Sequence, residues 1–111
     1  MAVANIGRGG DDVGMWVGWI EFDVLLGDVH SLKAKRSVLR PVIAEIRKRF
    51  DVSVAEVDHQ DLHRRAMVGV GLVSGQRAHL VEVLDAVENH VAALPEIDLL
   101  SARRRILSSD D

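Results

Sequence analysis

The segment VAEVDHQDLHRR, Val54 to Arg65, gathers three carboxylates, two histidines and two arginines. On an extended chain His59, Asp61 and His63 point the same way, and in a helical turn His59 and His63 are i, i+4 neighbours. Either arrangement brings two nitrogens and an oxygen toward a zinc ion. A fourth ligand has to come from His30, His79 or His90, and no spacing selects among them. Acid–base chemistry is the other reading, with Glu56, Asp58 and Asp61 beside His59 as base and orienting group. That requires a pocket, and no GxSxG, P-loop or dinucleotide fingerprint accompanies the segment. The simplest account is a turn. Asp58 caps it, Asp61 favours its early positions, His59 and Gln60 bond backbone groups freed at a strand end, and Leu62 tucks under the sheet edge. No catalytic residue, metal ligand or cofactor is therefore expected.

A second concentration of charge lies upstream. Between Ser31 and Phe50 stand Lys33, Lys35, Arg36, Arg40, Arg47, Lys48 and Arg49 against the single acid Glu45. On a helix, Lys33, Arg36, Arg40 and Arg47 fall within about 60° of one another. A one-sided basic stripe suits phosphate contact. Lys33, Lys35, Arg36, Arg40 and Arg47 are the candidate contacts with nucleic acid or a partner, and His59, His63, Arg64 and Arg65 are secondary ones. The alternative is a solvated face, or one that pairs with Glu82, Asp85 and Glu88 of a later helix.

The chain that must position these groups has 111 residues, room for one domain. It has no cysteine, which excludes disulfides, thiolate metal sites and cysteine nucleophiles. Apolar residues make up 48% and charged residues 28%, an ordinary globular balance. No apolar run approaches the roughly 20 residues of a membrane span. The first residues carry Asp11 and Asp12 and no apolar core of a signal peptide, so a cytoplasmic protein is expected. Net charge is −3. Setting aside Arg8, Asp11, Asp12, Asp110 and Asp111 in the tails leaves 13 bases and 13 acids, sorted by element.

Residues 1–14 are expected to be a disordered extension, 15–107 one domain, and 108–111 a disordered acidic tail. Ile20, Phe22, Val24 and Leu26 alternate with Trp19, Glu21, Asp23 and Leu25, the period of a half-buried strand. Ser31 is placed to cap a helix with Leu32, Leu39, Val42, Ile43, Ile46 and Phe50 on one stripe. Pro41 is expected to kink or restart that helix, on its exposed side. Strands over Val52–Val57 and Ala66–Val73, a helix over Gln76–Leu94 and a strand over Ile97–Leu107 complete the order β-α-β-β-α-β. That order predicts an α+β, ferredoxin-like two-layer sandwich, a four-stranded antiparallel sheet with both helices on one face. The open face carries Trp19 beside Glu21 and Asp23, and Gly69 and Gly71 where stacking rings are needed, which disfavours base stacking. Arg103 and Arg105 are expected to pair with Glu21 and Asp23. Trp19, Leu25 and Met67 then form a candidate dimer face.

SLKAKRSVLRPVIAEIRKRF-DVSVAEVDHQDL, followed by AMVGVGLVS, resembles the YlxP-like family of small bacterial proteins, a domain of unknown function. The similarity runs from about Met15 to Leu107. It implies the ferredoxin-like fold and a gene near those of initiation factor two and ribosome-binding factor A, hence a link to translation or ribosome maturation. It implies no activity and no catalytic residues. The chain departs from the family pattern in its extra leader, in Pro41, in His63 where a tryptophan is usual, and in Arg103-Arg104-Arg105. The expectation is a non-enzymatic cytoplasmic protein that contacts ribosomal RNA or a ribosomal subunit through its basic first helix. The alternative is a homodimer or protein adaptor joined through the open sheet.

Overall fold

The structure is a computed structural model that describes residues 14–110. The expected leader, apart from Gly14, and Asp111 of the expected tail lie outside the described residues. Alternation of apolar and polar side chains makes β1 (Trp16–Leu26) the central strand, with Ile20, Phe22, Val24 and Leu26 fully buried. Ser31 begins α1 (Leu32–Phe50), its hydroxyl accepting from the Ala34 N–H at 3.0 Å. The helix continues through Pro41, against the expected restart. Pro41 is exposed, so the one carbonyl it leaves unbonded faces water, which satisfies it. Asp51 ends the helix in a left-handed conformation (φ 53°), its N–H donating to the Arg47 carbonyl.

β2 (Ser53–Asp58), β3 (Arg65–Ser74), α2 (Arg77–Ala92) and β4 (Ile97–Ser108) follow. The sheet order is β2-β3-β1-β4 with all neighbours antiparallel, the ferredoxin-like sandwich with both helices on one face. Apolar stripes on the helices close the core. Leu39, Val42 and Ile46 of α1 and Leu80, Leu84, Val87 and Val91 of α2 meet Ile20, Phe22, Val68 and Val70 of the sheet. Gly18 is what lets α2 come close: a Cβ there would stand 2.7 Å from Leu80 Cδ2.

The last strand exceeds expectation at its end. β4 includes Ser108, and the Ser109 N–H donates to the Met15 carbonyl at 2.8 Å. Ordered pairing thus extends into the segment expected to be a disordered tail. Two register shifts interrupt the sheet. One lies between Asp23 and Val24 where β1 meets β4, leaving Leu100 without a residue opposite it. The other lies between Glu56 and Asp58, where Val57 is the extra residue.

Candidate nucleic-acid interface

The acid- and histidine-rich segment is a turn built around a buried lysine. Asp58 accepts from the N–H of the next residue, His59, at 2.8 Å. His59 takes a left-handed conformation (φ 59°), and the Leu62 N–H donates to its carbonyl at 3.0 Å. The Gln60 side-chain amide donates to the Glu56 carbonyl at 3.0 Å. Lys35 Nζ reaches into this turn from α1. It donates to the carbonyls of His59 (2.6 Å) and Leu62 (2.7 Å), and lies 2.7 Å from Glu56 Oε2. Two of the three ammonium N–H bonds thus have carbonyl acceptors, and the Glu56 carboxylate balances the charge as an ion pair outside hydrogen-bond geometry.

Lys35 is only 1% exposed, so it is not a phosphate contact. Its ammonium is consumed in joining α1 to the turn. The Glu56 carboxylate is engaged by the same lysine and is not an unengaged base. Leu62 does not tuck under the sheet edge, being 45% exposed. Asp61 and His63 are exposed, His59 is half-buried, and no group of three or more metal-ligating side chains gathers among the described residues.

The outer flank of α1 is different. Lys33, Arg36 and Arg40 are exposed, and among the described residues their side chains make no hydrogen bond or ion pair. Arg47 is exposed but partly engaged, its Nη2 donating to the Val54 carbonyl at 2.8 Å. That contact places the basic flank above the free edge of β2. Of the expected alternative partners on α2, Asp85 (2.8 Å) and Glu88 (3.2 Å) are bound by Arg104 of β4, while Glu82 is exposed and pairs with none of the α1 cations. Helix stability accounts for only part of the charge. Arg47, Lys48 and Arg49 occupy the last turn, where the helix dipole favours cations, whereas the first turn holds no acid and carries Lys33. Cations at that end oppose the dipole, so Lys33 stands there at a small cost to the helix.

The secondary candidates divide. Arg64 Nε donates to the Gly27 carbonyl at 3.0 Å, and the Leu26 N–H donates to the Arg64 carbonyl, so this residue pins the turn beside the β1–α1 connection. Its guanidinium is exposed, like the His63 ring. Arg65 is not available: it holds Asp23 in a two-point contact, Nε–Oδ1 3.1 Å and Nη2–Oδ2 2.6 Å. Asp23 therefore pairs with Arg65 and not with the last strand. Glu21 does meet Arg103, at 3.6 Å, while Arg105 lies opposite Trp19.

On the open face Trp19, Ala55, Val57, Gly69 and Gly71 line a groove of about 480 Å³. Gly69 keeps its floor flat, since a Cβ there would come within 3.0 Å of Val57. Of the candidate dimer residues Trp19 and Leu25 are half-buried, but Met67 is only 8% exposed and offers little surface. The exposed apolar groups are instead Val57, Val73 and Leu107, the last two flanking Val17 on one rung. Val57 joins them by alternation, following Ser53 and Ala55 on the open face, and the register shift leaves it without a residue opposite.

The chain superposes on a variant of SnoaB, described as a cofactor-independent oxygenase from Streptomyces nogalater. The TM-score is 0.45 at 11% identity, covering 86% of this chain and 94% of that one. A likeness at that level says nothing about chemistry. Uncharacterized protein YlxP of Bacillus subtilis (strain 168) is 32% identical over 82 residues, 74% of this chain and 89% of the relative. The two strings that carry the YlxP-like resemblance, SLKAKR and VAEVDHQDL, are the ones that Lys35 ties together. Residues 17–104 match the family described as Protein of unknown function (DUF503), and the chain belongs to that family.

Proposed function

We propose that this is a non-enzymatic cytoplasmic binding protein that holds RNA by its phosphates along the outer flank of α1. Ribosomal RNA or a ribosomal subunit is the partner that the family resemblance implies. The supporting observation is that Lys33, Arg36 and Arg40 are exposed and unpaired while Asp85 and Glu88 are bound by Arg104. Unpaired cations on a rigid helix gain the counterions released from a nucleic-acid backbone without first breaking protein ion pairs. From Lys33 to Arg47 the flank runs about 21 Å at 1.5 Å per residue, enough to follow several phosphates. Three single-strand phosphate contacts predict a slope of log K against log salt near about −2, roughly a twentyfold loss between 50 and 200 mM salt. Fluorescence anisotropy with labelled RNA measures it, and a flat salt response contradicts the proposal.

The groove at Trp19 supports a second reading, a homodimer through the open face. Trp19, Val57, Val73 and Leu107 supply apolar surface of the kind that associating sheets bury. Light scattering on the wild type and Trp19→Ala checks it: a dimer weakened by the substitution supports self-association, and a strictly monomeric wild type removes it.

A further inference from the structure

The two edges of this sheet are treated differently. On β2 the outward carbonyls of Val54 and Glu56 are covered by Arg47 and Gln60. The other edge, β4, is twice as long, and among the described residues no side chain bonds its backbone between Asp98 and Leu107. An uncovered edge is a template for another strand. Its side chains say which strand. Arg103 and Arg105 project on the open-face side, two residues apart, opposite Glu21 and Trp19. Arg105 makes no ion pair, and Arg103, 70% exposed, touches Glu21 only at 3.6 Å. On the helix side Arg104 is occupied by Asp85 and Glu88, while Ala102 and Ile106 pack on the core margin.

We propose that the outer edge of β4 takes an acidic, extended segment of a partner protein as a fifth strand. Acids two residues apart face Arg103 and Arg105, and the residue between them is small or apolar, beside Arg104 at the core margin. Main-chain hydrogen bonds hold such a segment and alternate side chains select it. A second copy of this chain fits badly, because antiparallel pairing centred on Arg104 sets Arg103 against Arg105. Arginines that merely guarded the edge would repel basic and like strands, but they leave it open to acidic ones. The site stands at the opposite edge of the sheet from the α1 flank and does not depend on RNA binding there.

The test uses the full chain with a short capped peptide alternating valine and glutamate, and its valine–lysine counterpart, followed by NMR. The acidic peptide is expected to bind about tenfold more tightly. It should slow exchange of alternate β4 amides between Asp98 and Leu107. The double variant Arg103→Glu/Arg105→Glu, altered only at exposed positions, should reverse the preference. Equal binding of both peptides, no binding by either, or shifts confined to the Trp19 face or to α1 overturns the proposal. The wild-type comparison decides this whatever the variant does.

Discussion

Lys35→Met is expected to destabilise the fold by about 3–5 kcal/mol, the cost of removing one partner from a buried ion pair. Methionine fills the volume but leaves the Glu56 carboxylate, only 23% exposed, without its counter-charge. It also strips a donor from the carbonyls of His59 and Leu62. A loss of that size is a large fraction of the 5–15 kcal/mol typical of a domain. It should be greatest in the turn, where the Leu62 amide loses its protection from exchange. Lys35→Arg should not rescue it, because a planar guanidinium cannot meet two carbonyls and a carboxylate arranged around a single nitrogen. Pairing Lys35→Met with Glu56→Leu should recover much of the loss, since an apolar pair removes the stranded charge. Urea denaturation of the four proteins measures all of this. A loss below about 1 kcal/mol for Lys35→Met contradicts the account of the buried lysine.

The triple variant Lys33→Glu/Arg36→Glu/Arg40→Glu carries the second large effect. It removes three cations from the α1 flank and puts repulsive charges in their place, so RNA affinity at low salt is expected to fall by roughly a hundredfold or more. The residual binding should lose its salt dependence. Unfolding is not an available explanation for that result. All three side chains are exposed and unpaired. The first turn of α1 has no acid, so Lys33→Glu improves the match to the helix dipole by about 0.3–1 kcal/mol. Thermal denaturation should therefore find the variant as stable as the wild type or slightly more so. Arg47 is left in place because it also covers the Val54 carbonyl on the edge of β2.

Periodicity made the elements legible: the strand alternation around Phe22, the cap at Ser31 and the apolar faces of both helices all stand where their spacing puts them. Lys35 was misread as a surface contact, although its spacing held the clue. At 100° per residue it shares the stripe of Leu39, Val42 and Ile46, four, seven and eleven residues on. Its charge argues for the surface, whereas its position argues for the core, and position prevailed because the turn supplies two carbonyl acceptors and β2 a counter-charge in Glu56. Pro41 did not restart the helix, since a missing hydrogen bond costs little when it faces water. What no local pattern held was the pairing across the open face. Register shifts at Val57 and Leu100 arise only when strands meet, and pairing across the sheet gives Asp23 to Arg65 and leaves Arg105 facing Trp19. The unpaired state of the α1 flank likewise depends on Arg104 reaching Asp85 and Glu88 from a strand far along the chain.

The central claim, that the α1 flank binds RNA, is tested most directly by capture from cell lysate with and without nuclease, using the wild type and the triple variant. The account predicts that the wild type retains RNA, that nuclease or high salt releases it, and that the variant retains almost none. Equal recovery of RNA by both proteins, or none by the wild type at low salt, contradicts it.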